Sequence, residues 1–381
     1  MITLSRGMNP HETGFAEPVT VSDPPFELLS GVPSYINVLD ALLARDLADR
    51  LERQTGEAAC ATSKHTSPAG VALGTPLAPG AEEFHDRGPL PADPVGRAVL
   101  RARSTTPKYA FADFVAVSRP VTGDVDPSLF ANAVGVIAPD YAPGVADRLR
   151  RFNDGTFIVL RGPAPATPPV RREVQEAYGL RLTREIPGGT EFAGGLHTVC
   201  GDLHDPDSLA VAVLAVAQAQ SNSMVFAVDG QTIGIGMGQQ HRLDCTRLAA
   251  HRALVWQRRH HPDLLSLRFA DHVDAAQRAL WRARVAEGDL TPSVRDQLAG
   301  VLRDPGRAAH EPDWARTPPL TGVTLAADNH FPFVEVVELA ARAGVTQLVT
   351  PRGSTDAGAL REACVRHGIS WIVTGERFFR H

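Results

Sequence analysis

The chain has 381 residues, of which 43% are hydrophobic, 21% charged and 6% aromatic, a composition typical of a globular protein with enough apolar material for two domains. Its formal net charge of -5 excludes a general electrostatic attraction to nucleic acid or to an acidic membrane. The four cysteines are scattered along the chain, which predicts a reduced protein. The first residues contain no signal-peptide core and no apolar stretch is long enough to span a membrane, so we expect a cytoplasmic protein that binds neither nucleic acid nor a membrane.

The first half of the chain alternates between helical and strand patterns. Apolar residues at helical spacing predict an amphipathic helix over 33–53, and small residues predict a strand over 58–63. Pro68 and Gly70 then indicate that the chain turns at the end of this strand. Further helices are predicted at 94–103, 126–134 and 143–152, and further strands at 111–117, 136–138 and 157–160. Helices that alternate with short strands indicate a layered α/β fold.

The proline-rich segment 161–169 is the best candidate for a linker. We therefore predict two units, residues 1–161 and 162–381. In the second unit the pattern predicts helices at 205–219, 246–259, 333–342 and 355–367, strands at 347–350 and 371–374, and a hairpin around Asp229 and Gly230. Broken helical patterns from about residue 272 to 317 indicate a helical insertion.

Only two of the 38 basic residues are lysines, Lys64 and Lys108. Arginine serves surface solubility as well as lysine, so a retained lysine indicates a need for a compact ammonium, although chance explains either one equally well. Lys64 and His65 follow a predicted strand, where active residues of α/β proteins commonly lie. A neutral imidazole can accept a proton from an attacking amine, and an ammonium can stabilise the oxyanion of acyl transfer. Such a dipeptide alone is more often a surface coincidence.

Other candidate segments carry weaker signals. Asn222 could orient an amide or a formyl oxygen, or it could cap a turn. The glycine-rich segment 234–240 lacks the spacing of a nucleotide-binding loop, and we interpret it as a bend that brings Arg242 to a ligand. The histidines and cysteines lack zinc-ligand spacing, so no metal is expected. Residues 377–381 combine aromatic and basic groups and would ordinarily form a frayed tail.

Together these segments resemble the formyltransferase domain of the AICAR transformylase/IMP cyclohydrolase family, with the same order and spacing over essentially the whole chain. The resemblance is carried by residues 7–11, 33–37, 64–70, 111–116, 137–139, 220–223, 233–236, 238–240, 245–249, 259–262, 331–333 and 377–381. It implies two tandem α/β/α units similar to cytidine deaminase but without zinc, in a homodimer with active sites at the subunit interface. It also implies formyl transfer from the co-substrate 10-formyltetrahydrofolate to the amine of an aminoimidazole ribotide (AICAR), in purine biosynthesis. The family's cyclohydrolase domain would end where this chain begins, so ring closure is not expected.

The resemblance also implies roles for single residues. Lys64 and His65 match the catalytic pair, and Asn222 matches the asparagine that orients the substrate. Positions of the substrate pocket correspond to Arg6, Gly70, Arg242, Phe331, Arg377, Phe379 and His381. Positions near the folate site correspond to Lys108, Leu243, Pro332 and Glu335.

Several residues depart from the family pattern. Ser5 stands where an arginine is usual, so that the substrate arginine is lost or displaced to Arg6. Val134 replaces an acidic residue that can hold ribose hydroxyls, at a cost of roughly 1–3 kcal/mol for the groups left unpaired. Ala112 replaces a glycine. Three further departures lie on the folate side: Lys108 replaces an apolar residue that usually faces the folate, Glu335 replaces an aspartate that usually contacts the pterin, and Ala279 replaces a folate-side asparagine. Three alternatives follow: an enzyme that acts on AICAR, a paralogue that formylates another amine in specialised metabolism, and a non-catalytic ligand-binding homologue.

Overall fold

The computed structural model describes residues 2–17, 25–162, 170–187, 192, 195–288, 290–353, 357–375 and 377–381. Most of the predicted linker, residues 163–169, lies outside the described residues. Within the described ranges, twelve strands form one mixed sheet. The predicted α/β class is therefore confirmed. Among the described helices, none combines the length and the hydrophobicity that a membrane span needs.

The strands of the large sheet are β3 (Glu27–Ser30), β4 (Ala59–Lys64), β5 (Ser67–Leu73), β6 (Phe114–Val117), β7 (Gly135–Ala138), β8 (Ile158–Arg161), β11 (His197–Cys200), β12 (Met224–Val228), β13 (Gln231–Gly236), β14 (Val323–Ala327), β15 (Val345–Pro351) and β16 (Ser370–Thr374). Two separate pairs are β1 (Ile2–Thr3) with β2 (Phe15–Ala16), and β9 (Val170–Ala177) with β10 (Leu180–Pro187). The helices are α1 (Tyr35–Thr55), α2 (Ala81–His85), α3 (Pro94–Ser104), α4 (Val145–Leu149), α5 (Pro206–Gln218), α6 (Arg242–Arg258), α7 (Pro262–Leu265), α8 (Ala275–Glu287), α9 (Pro292–Val301), α10 (Val334–Arg342) and α11 (Ala357–Arg366).

The order of elements along the chain repeats once. With α2, α4, α7 to α11 and the separate pair β9–β10 set aside, the series β3-α1-β4-β5-α3-β6-β7-β8 is followed by β11-α5-β12-β13-α6-β14-β15-β16. Each series forms one half of the sheet, and the halves join where β5 runs antiparallel to β13, with Gln231 opposite Ala72. The first half ends with β8 at Arg161, beside the predicted boundary. The division into two domains and the similarity of each half to cytidine deaminase stay predictions.

Helices cover both faces of the sheet. Successive side chains of the central strands point to opposite faces, so they pack against different helices. Ala59 and Ala61 of β4 belong to the same apolar cluster as the buried residues of α1 and α5. Cys60, between them, packs in a second cluster with residues of α3. Helices α8 and α9 lie within the predicted insertion and enclose a smaller apolar cluster of their own.

The ends of strands from both halves lie along one edge of the sheet, here the edge that runs across the strands. In the second half, Met224 of β12 lies opposite Gly236 and Ala327, so β12 begins where β13 and β14 end. In the first half, Lys64 lies opposite Ser67, where β5 begins. Because β5 and β13 are antiparallel, these points share one edge. We call it the front edge; the opposite edge carries the turn between β12 and β13.

The prediction that Pro68 and Gly70 turn the chain was wrong. Both residues lie inside β5, and the turn is made by His65 and Thr66, whose φ angles of 56° and 57° fall in the left-handed region. Two consecutive left-handed residues are what a two-residue hairpin turn of type I′ requires. Pro68 sits where the pairing of β4 with β5 shifts register, a position at which a missing N–H is tolerated.

Candidate active site

The lysine–histidine pair predicted to be reactive lies at the front edge, around the turn between β4 and β5. The carboxylate of Asp40, in α1, accepts hydrogen bonds from the backbone N–H groups of Thr66 (2.7 Å) and His65 (3.2 Å) and from the Ser63 hydroxyl (2.8 Å). Asp40 is only 6% exposed, and this burial raises the pKa of its carboxyl although the three hydrogen bonds act in the other direction. One buried side chain therefore fixes the turn, and the His65 side chain remains exposed.

Lys64 is half-buried at the end of β4. Its Nζ donates a hydrogen bond to the backbone carbonyl of Phe111, at 2.5 Å. This acceptor is neutral, so the contact holds the ammonium in place without cancelling its charge. The next residue, Ala112, has a φ of 57°, and its N–H donates to the carbonyl of Asn132 at 2.7 Å.

The second group of side chains at the front edge centres on Asp328, which follows β14 and is fully buried. One of its carboxylate oxygens forms an ion pair with Arg242, at the start of α6. The other oxygen accepts the backbone N–H of Ser223 at 3.0 Å. Arg242 also donates to Oδ1 of Asn222 at 2.7 Å, and Nδ2 of Asn222 donates to the carbonyl of Gln239 at 2.8 Å. The orientation of the Asn222 amide is thus set from both sides.

Arg242 itself is only 6% exposed. In this structure its guanidinium contacts Asp328 and Asn222, so its direct effect is on the position of Asn222. The glycine-rich segment that precedes it forms the end of β13, and the predicted bend occurs at Gly238, where φ is 66°.

The C-terminal residues are anchored beside Asn222. The N–H of Phe378 donates to the carbonyl of Asp328 at 2.9 Å. Ser221 donates its N–H to the carbonyl of Arg380 at 2.9 Å and accepts the Arg380 N–H on its hydroxyl at 3.1 Å. The tail therefore continues the site at the front edge. Its exposed side chains contact one another in sequence. The guanidinium of Arg377 lies 4.8 Å from the ring centre of Phe379, and the rings of Phe379 and His381 meet edge to face with their centres 5.8 Å apart.

Three of the four residues assigned to folate lie near the start of α10 or pack towards it. Leu243 is half-buried and packs against the same apolar cluster as Phe333, while Pro332 and Glu335 are exposed. Lys108 is also exposed and forms an ion pair with Glu287 of α8, in the helical insertion.

Two residues assigned to the substrate pocket have clear packing functions. Phe331 is 1% exposed and belongs to the apolar core of the second half. Gly70 faces α3 so closely that a Cβ atom there would lie 2.0 Å from the carbonyl oxygen of Ala102. Arg6 is exposed, and its carbonyl accepts the N–H of Tyr35 at 3.1 Å. Tyr35 begins α1, about 7.5 Å along the helix from Asp40.

Sequence reasoning missed Asp40 and Asp328. Each carries a signal that could have been used. Asp40 lies between Val38 and Ala41 on the buried side of α1, where a carboxylate needs several donors. Asp328 directly follows the fully buried strand β14, at the edge where site residues of α/β sheets collect.

Among the described residues, no group of three or more histidine, cysteine, aspartate or glutamate side chains is arranged to hold a metal ion.

Comparisons with known proteins agree with the resemblance in the sequence. A family model described as the AICARFT/IMPCHase bienzyme matches residues 2–252, a range that includes Lys64, His65, Asn222 and Arg242. The chain is 28% identical over 358 residues to the bifunctional purine biosynthesis protein PurH of Chloroflexus aurantiacus, which covers 91% of this chain and 53% of that protein. It is 27% identical over 362 residues to the protein of the same name from Mesorhizobium japonicum, with 91% and 52% covered. The chain spans about half the length of these curated relatives. Because the family model matches most of its length, the chain belongs to the AICARFT/IMPCHase bienzyme family.

Proposed function

We propose that this protein transfers a formyl group from 10-formyltetrahydrofolate to the amine of AICAR, or of a closely related acceptor, as a cytoplasmic enzyme of purine biosynthesis. The observation that carries the proposal is the shared front edge. The turn with Lys64 and His65 belongs to the first half of the sheet and Asn222 to the second, yet the antiparallel pairing of β5 with β13 brings both to one edge.

In the proposed reaction the acceptor amine attacks the formyl carbon, and His65 takes the proton that the amine loses. The Lys64 ammonium stabilises the negative charge that develops on the formyl oxygen. When the tetrahedral intermediate collapses, the bond between the formyl carbon and the folate nitrogen breaks. His65 returns its proton to that nitrogen, so tetrahydrofolate leaves as a neutral amine. The partner of Lys64, the carbonyl of Phe111, supports this role because it positions the Lys64 side chain and carries no net negative charge.

In this proposal Asn222 orients the acceptor. Its Oδ1 accepts one hydrogen bond from Arg242, and its Nδ2 donates to the backbone carbonyls of Gln239 at 2.8 Å and of Gln240 at 3.3 Å. An amide oxygen has two lone pairs, so Oδ1 can accept a further hydrogen bond from the acceptor amine. Arg242 is then a positioning residue, and Arg377, Phe379 and His381 supply the exposed wall of the pocket.

The proposal includes a homodimer with active sites at the interface. The hairpin of β9 and β10 forms a sheet of its own, and isolated two-stranded hairpins are only marginally stable in water. Leu180 is 64% exposed and Leu182 is 54% exposed on this hairpin. Such apolar exposure favours a protein partner, and the proposed partner is a second copy of the chain. Sedimentation of the full chain tests this directly.

A second candidate function is formyl transfer to a different amine. It is favoured by Val134, which precedes β7 at the front edge and packs against the apolar core. A valine there offers no acceptor for ribose hydroxyls, which weakens the binding of a ribotide by roughly 1–3 kcal/mol. A non-catalytic homologue is the third candidate.

The experiment that separates these functions is a folate-release assay. Purified protein is mixed with 10-formyltetrahydrofolate and AICAR, and the formation of tetrahydrofolate is followed by absorbance. Release that depends on AICAR supports the first function. Calorimetric binding of the folate without release contradicts it and favours the second function, which a panel of other amines then tests. Absence of both binding and release favours the third.

A further inference from the structure

A cavity of about 100 Å³ lies between α3 and the helical insertion. Its walls are largely apolar. They include Val99 and Leu100 of α3, and Ala275, Ala276 and Ala279 of α8. Three arginines also line it, and no carboxylate is among the described residues of its wall.

Two of the three arginines are already neutralised: Arg87 forms an ion pair with Asp126, and Arg103 with Asp113. The third, Arg259, follows α6 and is only 2% exposed. Its guanidinium donates to the carbonyl of Ser104 at 2.6 Å and lies 4.5 Å from the ring centre of Phe84. Both contacts are neutral.

Across the described ranges, Arg259 forms no ion pair with a carboxylate, and the charged neighbour that perturbs it is another cation, Arg282. Burial lowers the pKa of Arg259 to about 9, so it is still protonated at neutral pH. His85 also lines the cavity, and burial together with Arg259 lowers its pKa to about 3, which leaves the ring neutral. A buried charge without an opposite charge is costly, so the cavity has one positive charge that an anion would compensate.

We propose that this cavity is a second ligand site, which binds a small monocarboxylate through Arg259 and packs its short apolar chain against Ala275, Ala276 and Ala279. The size supports this class, because a dry cavity of about 150 Å³ holds benzene, and a smaller one suits an acid of a few carbons. The apolar walls disfavour phosphate, whose additional oxygens would lose their hydrogen bonds to water. The proposal does not depend on formyl transfer, although Ala279 stands at a position that the resemblance places on the folate side.

Binding of butyrate to the full chain, measured by calorimetry, tests the proposal. n-Butyramide has nearly the same shape without the charge, and it should bind at least tenfold more weakly. Ala279→Leu fills the cavity and retains Arg259, so it should abolish butyrate binding and leave the protein folded. Gln297→Leu changes an exposed residue of α9, in the same helical insertion, and should bind butyrate as the unmodified chain does.

Arg259→Met should also abolish binding. If Arg259→Met does not fold, Ala279→Leu still tests the proposal. Three results would overturn the proposal: no saturable binding of butyrate, equal affinity for butyramide, or undiminished binding by Ala279→Leu. Tighter binding of inorganic phosphate than of butyrate would overturn the assigned class of ligand.

Discussion

The carboxylate of Asp40 lies 2.7 Å from the backbone nitrogen of Thr66, so a side chain of α1 holds the hairpin turn that carries His65. Residues other than glycine in the left-handed region cost roughly 1–2 kcal/mol each. His65 and Thr66 both adopt that conformation. The bonds to Asp40 offset this cost, and they connect the packing of α1 to the position of the proposed proton acceptor.

Asp40→Asn should therefore lower the turnover of the proposed reaction about tenfold to a hundredfold, with a smaller effect on KM. Both carboxylate oxygens of Asp40 accept hydrogen bonds, but the amide nitrogen of an asparagine cannot accept one. Losing a buried hydrogen bond costs about 1–3 kcal/mol. Hydrogen exchange at the amides of His65 and Thr66 should accelerate. This second readout tests the positioning role even if the reaction differs from the proposed one.

Asp49→Asn is the matched control for Asp40→Asn. Asp49 is also a buried aspartate of α1, but it pairs with Arg45 at 2.8 Å instead of contacting the turn. It should lose stability without faster exchange at the turn. Equal exchange rates at the turn in the two variants would contradict the role of Asp40.

Ala112→Gly should stabilise the fold by about 1 kcal/mol. Ala112 has a φ of 57°, where an alanine is strained by roughly 1–2 kcal/mol, and part of that gain is lost because glycine makes the unfolded chain more flexible. The free energy of unfolding in urea measures the change. A destabilised variant would indicate that the methyl group of Ala112 makes a packing contact worth more than the strain.

Arg242→Met should destabilise the protein by about 3–5 kcal/mol, because it leaves the buried carboxylate of Asp328 without its partner. It should also remove the hydrogen bond that Oδ1 of Asn222 accepts from Arg242. The double variant Arg242→Met/Asp328→Asn should recover part of the stability, because no unpaired charge remains. Urea unfolding of the single and double variants checks this, and additive losses would show that the two residues do not form a coupled pair.

Much of the fold was predictable, because periodic apolar patterns determine α1, α5 and the strands that they cover. The exact turn was not. Pro68 and Gly70 are ordinary turn residues, but here the register of β4 and β5 and the close approach of α3 place them inside a strand. The hydrogen bonds of Asp40 and Asp328 join residues distant in sequence, and a local pattern contains no information about such contacts.

Protein stability should fall as the pH falls from about 6.5 towards 4. Burial, with the nearby Arg259, lowers the pKa of His85 to about 3 and that of His260 to about 4. In this window the unfolded chain binds protons that the folded chain does not, so the free energy of unfolding decreases, by on the order of 2–3 kcal/mol per histidine. Asp49, whose pKa burial raises to about 7, acts in the opposite direction and partly offsets the loss.

Urea unfolding at pH 7 and at pH 4 measures the net effect of these groups. His260→Gln should reduce the difference between the two pH values relative to the unmodified chain. An unchanged difference would show that His260 titrates in the folded protein as it does in the unfolded chain.

The central claim is that Lys64 acts through a compact ammonium at the reacting carbonyl, and the most direct measurement compares the only two lysines of the chain. Lys64→Arg and Lys108→Arg both keep the charge, and the folate-release rate is measured for each with AICAR as acceptor. A guanidinium is larger and cannot replace an ammonium held by the single carbonyl of Phe111. We expect Lys64→Arg to lose at least a hundredfold in kcat. Lys108 is assigned to the folate side and not to the reacting atoms, so Lys108→Arg should affect the KM for the folate and lose less than threefold in kcat. Full activity in Lys64→Arg would contradict the assignment of the reaction centre.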